Sequence, residues 1–198
     1  VQEIDGNKYQ FFYATNGDKL VLNIKFKEEL AEVPTFTLID SQGTEYVLEA
    51  EHSGLDSNGS NTYTARYNIA EDEAKLAEGE IAFRISNIVD KAGNVAEDVT
   101  ATTNGRRVIY DRTMPEISIE WTEGFTVGNE PYFSKVSFKF FDNIGVKEYE
   151  INGNVVALGL NQWSNANYDN FKQYLKEGKN VIILRDMAGN EAEYEFYY

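Results

Sequence analysis

The chain has 198 residues, no cysteine, a formal net charge of -15 and a sequence pI near 4.5. That charge argues against phosphate backbones and anionic membranes, which it repels over a Debye length of about 10 Å; the lack of cysteine removes disulfide, thiolate and zinc-finger chemistry. With 42% apolar and 14% aromatic residues and no apolar run near the roughly 18 residues of a bilayer span, the composition is that of a folded protein without membrane insertion.

Period-two alternation governs the first half. Leu20, Leu22, Ile24 and Phe26 alternate with polar partners, and so do Phe36 and Leu38, then Tyr46, Leu48 and Ala50. Tyr63, Ala65, Tyr67 and Ile69 follow, then Ile81, Phe83 and Ile85. Each set reads as a strand with one face buried. Between them lie turn-rich pieces at Thr15 to Asp18, Asp40 to Gly43 and Ser53 to Asn61. The segment Ala70 to Glu78 is helical in composition but short and acidic, so a single turn in a crossing loop is expected there.

The second half repeats the pattern with Val136, Phe138 and Phe140, Tyr149 and Ile151, Val155 and Val156, Val181 to Leu184, and Tyr194, Phe196 and Tyr198. Asn152-Gly153 is a hairpin signal, since both central residues of that turn need positive φ. Two motifs recur in the same order in both halves. Glu-Gly stands at Glu78-Gly79 and Glu177-Gly178 before the penultimate strand, and Asp-x-Ala-Gly-Asn stands at Asp90 to Asn94 and Asp186 to Asn190, closing the last hairpin. Near Val108 to Pro115 the repeat unit changes, because Pro115 lacks a donor and pushes Met114 to extended geometry. The expected organisation is two β-sandwich domains, 1–111 and 112–198, joined by a short stiff linker and cut from a longer protein. The fold class is all-β.

The Asp-x-Ala-Gly-Asn turn, the following strand and the Asp-x-Thr-x-Pro linker at Asp111 to Pro115 resemble tandem bacterial immunoglobulin-like domains of large surface proteins and adhesins. Asp142-Asn143-Ile144-Gly145-Val146 leading into Glu148 to Gly153 is similar to the same family. The first half departs from it, with Lys27 to Pro34 standing where the Asp-Asn-x-Gly loop would be. The resemblance implies an extracellular or cell-surface location, as in Gram-positive bacteria, and a stalk, a ligand-binding tip or an accessory module as the role.

In an immunoglobulin-like sandwich the B–C and F–G loops share one end with the entering chain. This gathers Asp111, Asp142, Asn143, Asp186 and Asn190, an oxygen set suited to calcium, which takes six to eight such ligands. Asp5, Asp90 and Asn94 are the weaker counterpart in the first half. Turn chemistry competes with this reading, because Asp and Asn in such turns bond their own backbone. Trp163 and Tyr168 lie in an amide-rich, loop-like stretch from Leu160 to Asn170 and are the candidate ligand-binding residues, with a sugar ring or a host protein as the partner. No catalytic residue is expected: His52, the only histidine, ends a predicted strand, and no nucleophile elbow, His-Glu-x-x-His or phosphate loop is present. The expected function is a non-catalytic spacer or adhesion module, calcium-stiffened at the domain junction and flanked by neighbouring domains of its own chain. The alternative is an ancillary glycan- or host-protein-binding module of a larger extracellular enzyme.

Overall fold

Alternating side chains become strands wherever a neighbouring strand offers a ladder, and the chain is built almost wholly that way. The computed structural model describes residues 2–4, 7–127 and 130–198. It divides into two units, Val1–Asp111 and Arg112–Tyr198. The first contains β1 (Gln2–Ile4), β2 (Asn7–Ala14), β3 (Lys19–Phe26), β4 (Thr35–Ile39), β5 (Glu45–Leu48), β6 (Ala50–Leu55), β7 (Asn61–Asn68), β8 (Gly79–Ser86) and β9 (Arg106–Tyr110).

These strands form two sheets in the order β1-β2-β9-β8-β4-β5 and β3-β7-β6. Sequential strands that change sheet in this order give the immunoglobulin-type sandwich. All pairings are antiparallel except β2 with β9, which run parallel from Gln10↔Arg106 to Ala14↔Tyr110. Phe36, Tyr63, Ala65 and Ile85 form one part of the core, and Leu38, Ile69, Leu76 and Tyr110 the other. The acidic crossing from Ala70 to Glu78 is a series of turns. Leu76, fully buried, pins it to the core, while Glu73 Oε1 accepts from Lys75 N at 2.7 Å.

The second unit contains β10 (Glu116–Val127), β11 (Glu130–Ile151), β12 (Asn154–Ala166), the one-turn helix α1 (Tyr168–Phe171), β13 (Lys179–Asp186) and β14 (Glu191–Tyr197). β11 serves both layers. Its first half pairs with β10 and with the end of β12; beyond a register break between Phe141 and Val146 it pairs with β13 and the start of β12. Asn152 and Gly153 turn β11 into β12 with φ of 48° and 86°. Between the layers lie Val136, Phe138, Phe140, Tyr149, Ile151, Phe171, Ile182, Leu184 and Phe196.

Three expectations are corrected here. The stretch from Leu160 is not a loop: β12 runs to Ala166, because β11 offers a ladder in which Phe141 faces Trp163 and Lys139 faces Asn165, and such pairing overrides a weak local preference. The turn-rich piece from Ser53 is shorter than expected, since β6 extends to Leu55. In the first unit the Asp90 turn does not join two strands of a regular hairpin. β8 ends at Ser86, Asn87 has φ 57°, and only the isolated bridges Val89↔Val95, Ile85↔Val99 and Leu30↔Asp90 follow.

The sequence holds Asp-x-x-Gly at 40–43, 56–59, 90–93, 142–145 and 186–189, and four of these build one turn. In the turns at Asp40, Asp56, Asp90 and Asp186 the aspartate N–H donates to the carbonyl four residues on, at 2.8 to 3.2 Å. The glycines have φ of 83°, 74°, 91° and 94°, the left-handed geometry that closes a short hairpin loop. In each, one aspartate oxygen accepts the backbone N–H four residues on. Asp56 additionally meets Lys25 Nζ at 2.8 Å, and this contact, with the Ser60 and Asn58 amides, lowers its pKa from 3.8 to about 2. A carboxylate depressed on folding contributes stability above its unfolded pKa and loses it as pH falls through the folded one. The Asp56 carboxyl is therefore expected to titrate near 2 by carboxyl carbon NMR, and Lys25→Ala to bring that midpoint back toward 3.8.

Candidate metal centre

Asp142 ends the straight part of β11, and Asp186 closes β13. The register pairs Val146 with Asp186, and Met187 N donates to Gly145 O at 3.0 Å, so the two loops are bound edge to edge. Asp111 is the residue from which the chain enters Arg112. Among the described residues, Asp111, Asp142 and Asp186 each offer a carboxylate oxygen within 4.8 Å of the others. All three residues are buried, with exposures of 0%, 1% and 0%.

Local bonds hold these groups in place. Asp142 Oδ1 accepts from Ile144 N at 2.8 Å and Gly145 N at 2.6 Å. Asp142 Oδ2 is buried with no hydrogen-bond partner among the described residues, and so is Oδ1 of Asn143. The Asn143 backbone carbonyl is fixed by Gln162 Nε2 at 2.5 Å. Asp186 Oδ1 accepts from Gly189 N at 2.7 Å and Asn190 N at 2.9 Å, while Oδ2 accepts from Asn190 Nδ2 at 2.7 Å. Asn190 thus meets Asp186 through its amide nitrogen, which makes it an orienting residue. Arg185 alternates to the other face of β13 and engages Glu148, Glu150 and Glu191.

The electrostatics of this set are unfavourable without a cation. Two carboxylates separated by about 5 Å repel by about 3 kcal/mol at an effective dielectric of about 20. Burial pushes the Asp186 pKa up and the Asp142 charge adds to that, against the lowering effect of the Asn190 and Gly189 bonds. All donors are oxygens, the set preferred by hard cations such as calcium.

The first unit supplies an internal comparison. Asp90 shares two bonds with Asp186, Oδ1 accepting from Asn94 N and Oδ2 from Asn94 Nδ2 at 2.7 Å, but its other Oδ1 partner is Ala92 N where Asp186 has Gly189 N. Here, however, the Asn94 side chain leads in holding the pKa below its usual value, the opposite sign to Asp186. Asp90 is partly exposed and Asn94 exposed. Lys91 crosses to Glu29 of the Lys27 to Pro34 connection at 2.7 Å, an ion pair in place of a carboxylate trio. Asp5 lies outside the described residues. The turn sequence alone therefore explains the turn, and its surroundings explain the difference between the copies.

Trp163 and Tyr168 are not brought together. Trp163 stands exposed on β12. Tyr168 opens α1, with its hydroxyl 2.8 Å from that of Tyr198 and its ring against Phe171. His52 stacks on Tyr63 at 4.7 Å and meets Asn61 Oδ1 at 3.0 Å.

No protein-family model matches this sequence, and no curated protein matches it. Among the 320 solved chains that resemble it is the crystal structure of bovine butyrophilin, at 11% identity and a TM-score of 0.38, covering 94% of this chain and 93% of that one. The fold assignment rests on the strand order above.

Proposed function

We propose that this chain is a non-catalytic spacer or adhesion module of a secreted or cell-surface bacterial protein, and that a calcium ion is held by Asp142 and Asp186 of the second unit with Asp111, the residue just before it. The observation that carries this reading is the burial of three carboxylates around a common point beside two buried, unpartnered oxygens on Asp142 and Asn143. Calcium satisfies those oxygens and cancels the repulsion together. Asn143 Oδ1 and water complete the coordination, and Asn190 orients Asp186. In the first unit Asp90 and Asn94 act as turn residues only.

Because Asp111 immediately precedes Arg112, an ion held by all three carboxylates fixes the backbone at that point. A metal-loaded chain is a stiffer spacer than a metal-free one. The test uses spin labels on single cysteines at the exposed positions Asn58 and Glu177, in a chain with no native cysteine. The distance distribution between labels is expected to narrow in millimolar calcium relative to EDTA, and to stay broad in Asp142→Asn. Equal breadth in all samples would overturn the stiffening role.

A further inference from the structure

The outer face of the β10–β11–β12 layer carries a second feature, unrelated to the carboxylates. β-strand alternation places Phe141 and Lys139 on one face of β11, and Trp163 and Asn165 on the matching face of β12, with Phe141 opposite Trp163 and Lys139 opposite Asn165. The indole is 56% exposed. It is nevertheless held in place, by the Phe141 ring at 4.3 Å and 41° and by Lys139 Nζ at 4.8 Å from its centroid. Glu120 of β10 and Ser164 join Lys139, Trp163 and Asn165 around an open cleft of about 390 Å³, within the size range of small-molecule sites.

We infer that this cleft is a binding site for a neutral pyranose sugar, stacked on Trp163. The chemistry of the rim selects the ligand. Lys139 donates, Glu120 accepts, and Asn165 does both, so the groups around the ring match a ligand with many hydroxyls and no net charge. An entirely apolar ligand would strip water from Lys139 and Glu120 without replacing it. A polyanion meets Glu120 and a chain of net charge -15. A protein partner needs a contact of about 1,000 Å² with an apolar centre, whereas here charged side chains border a single indole. The apolar face of a pyranose fits the flat ring, and its equatorial hydroxyls reach outward to the rim. The Lys139 contact with the ring is solvent-exposed, weak and displaceable.

The experiment titrates cellotetraose, maltotetraose, N-acetylchitotetraose and a β-galactotetraose, each to 10 mM, and follows the Trp163 indole N–H resonance, assigned by its loss in Trp163→Phe. At least one series is expected to shift that resonance saturably. In isothermal titration calorimetry with the same sugar, which needs no indole signal, Trp163→Ala should weaken binding at least tenfold and Glu120→Gln several-fold, each with an unchanged melting curve that excludes misfolding. Binding should be the same in EDTA and in calcium, so its outcome is separate from that of the metal centre. No saturable shift with any of the four, or binding that survives Trp163→Ala intact, would overturn the assignment.

Discussion

Asp142→Asn is expected to melt at a higher temperature than the parent protein in EDTA and at a lower one in millimolar calcium. The crossing follows from the geometry. The substitution keeps the Oδ1 that accepts from Ile144 N and Gly145 N, yet removes one charge from three buried carboxylates lying within 4.8 Å of one another. Relief of that repulsion stabilises the metal-free chain by roughly 1–3 kcal/mol. In calcium the parent gains about 2.7 kcal/mol when the ion stands at about 100 times its dissociation constant. For a domain of about 90 residues this is a rise on the order of 10 °C, and the variant gains none of it. Asp90→Ala is the control. It breaks the corresponding turn in the first unit and lowers that unit's melting temperature, while the calcium-dependent rise stays intact. Differential scanning calorimetry of the three proteins, each with and without calcium, reads all of this. A rise in the Asp142→Asn protein equal to that of the parent would remove the metal from the account.

Phe138→Ala is expected to destabilise the second unit strongly and leave the first unchanged. Phe138 is fully buried, and its ring meets Phe171, Tyr194 and Phe196 with centroids 5.2 to 5.9 Å apart. Truncating a buried Phe to Ala costs about 3–5 kcal/mol, a large part of the total stability of a domain this size. The core that contains Phe138 draws only on residues of Arg112–Tyr198, and the first unit has its own buried clusters. The expected thermogram has one transition displaced downward by 10 °C or more and one unchanged. A single transition displaced as a whole would show instead that the two units unfold as one.

The sequence was most legible where side chains alternate strictly. β3, β4, β7 and β8 were readable from Leu20 to Phe26, Phe36 and Leu38, Tyr63 to Tyr67 and Ile81 to Ile85, because one buried face imposes the pattern. The second half of β12 was hidden, since Asn161 and Asn165 read as loop chemistry and that part of the strand exists only because β11 pairs with it. The carboxylates were named from the sequence, but what sets them apart was not readable there. Asp90 and Asp186 share the local motif and the paired bonds to their asparagine, and burial is what turns the Asp186 pKa upward where that of Asp90 is lowered. The Asp-x-x-Gly spacing was the overlooked signal. Its recurrence at Asp40 and Asp56 would have shown that the turn is a general device of this chain and that Asp-x-Ala-Gly-Asn alone does not mark a metal.

The parallel pairing of β2 with β9 also determines how the first unit answers tension. A load drawing the start of β2 and the end of β9 in opposite directions pulls along the five paired positions from Gln10↔Arg106 to Ala14↔Tyr110, so their hydrogen bonds are sheared together. β1, which folds back on β2 as an antiparallel hairpin, peels away first, one bond at a time. Among the described residues the second unit has a single parallel pair, Tyr132↔Tyr197 between β11 and β14, and its entering strand β10 pairs antiparallel with β11. Under a stretching force in EDTA the second unit should therefore rupture at the lower force, and the first should be the mechanical clamp of the chain.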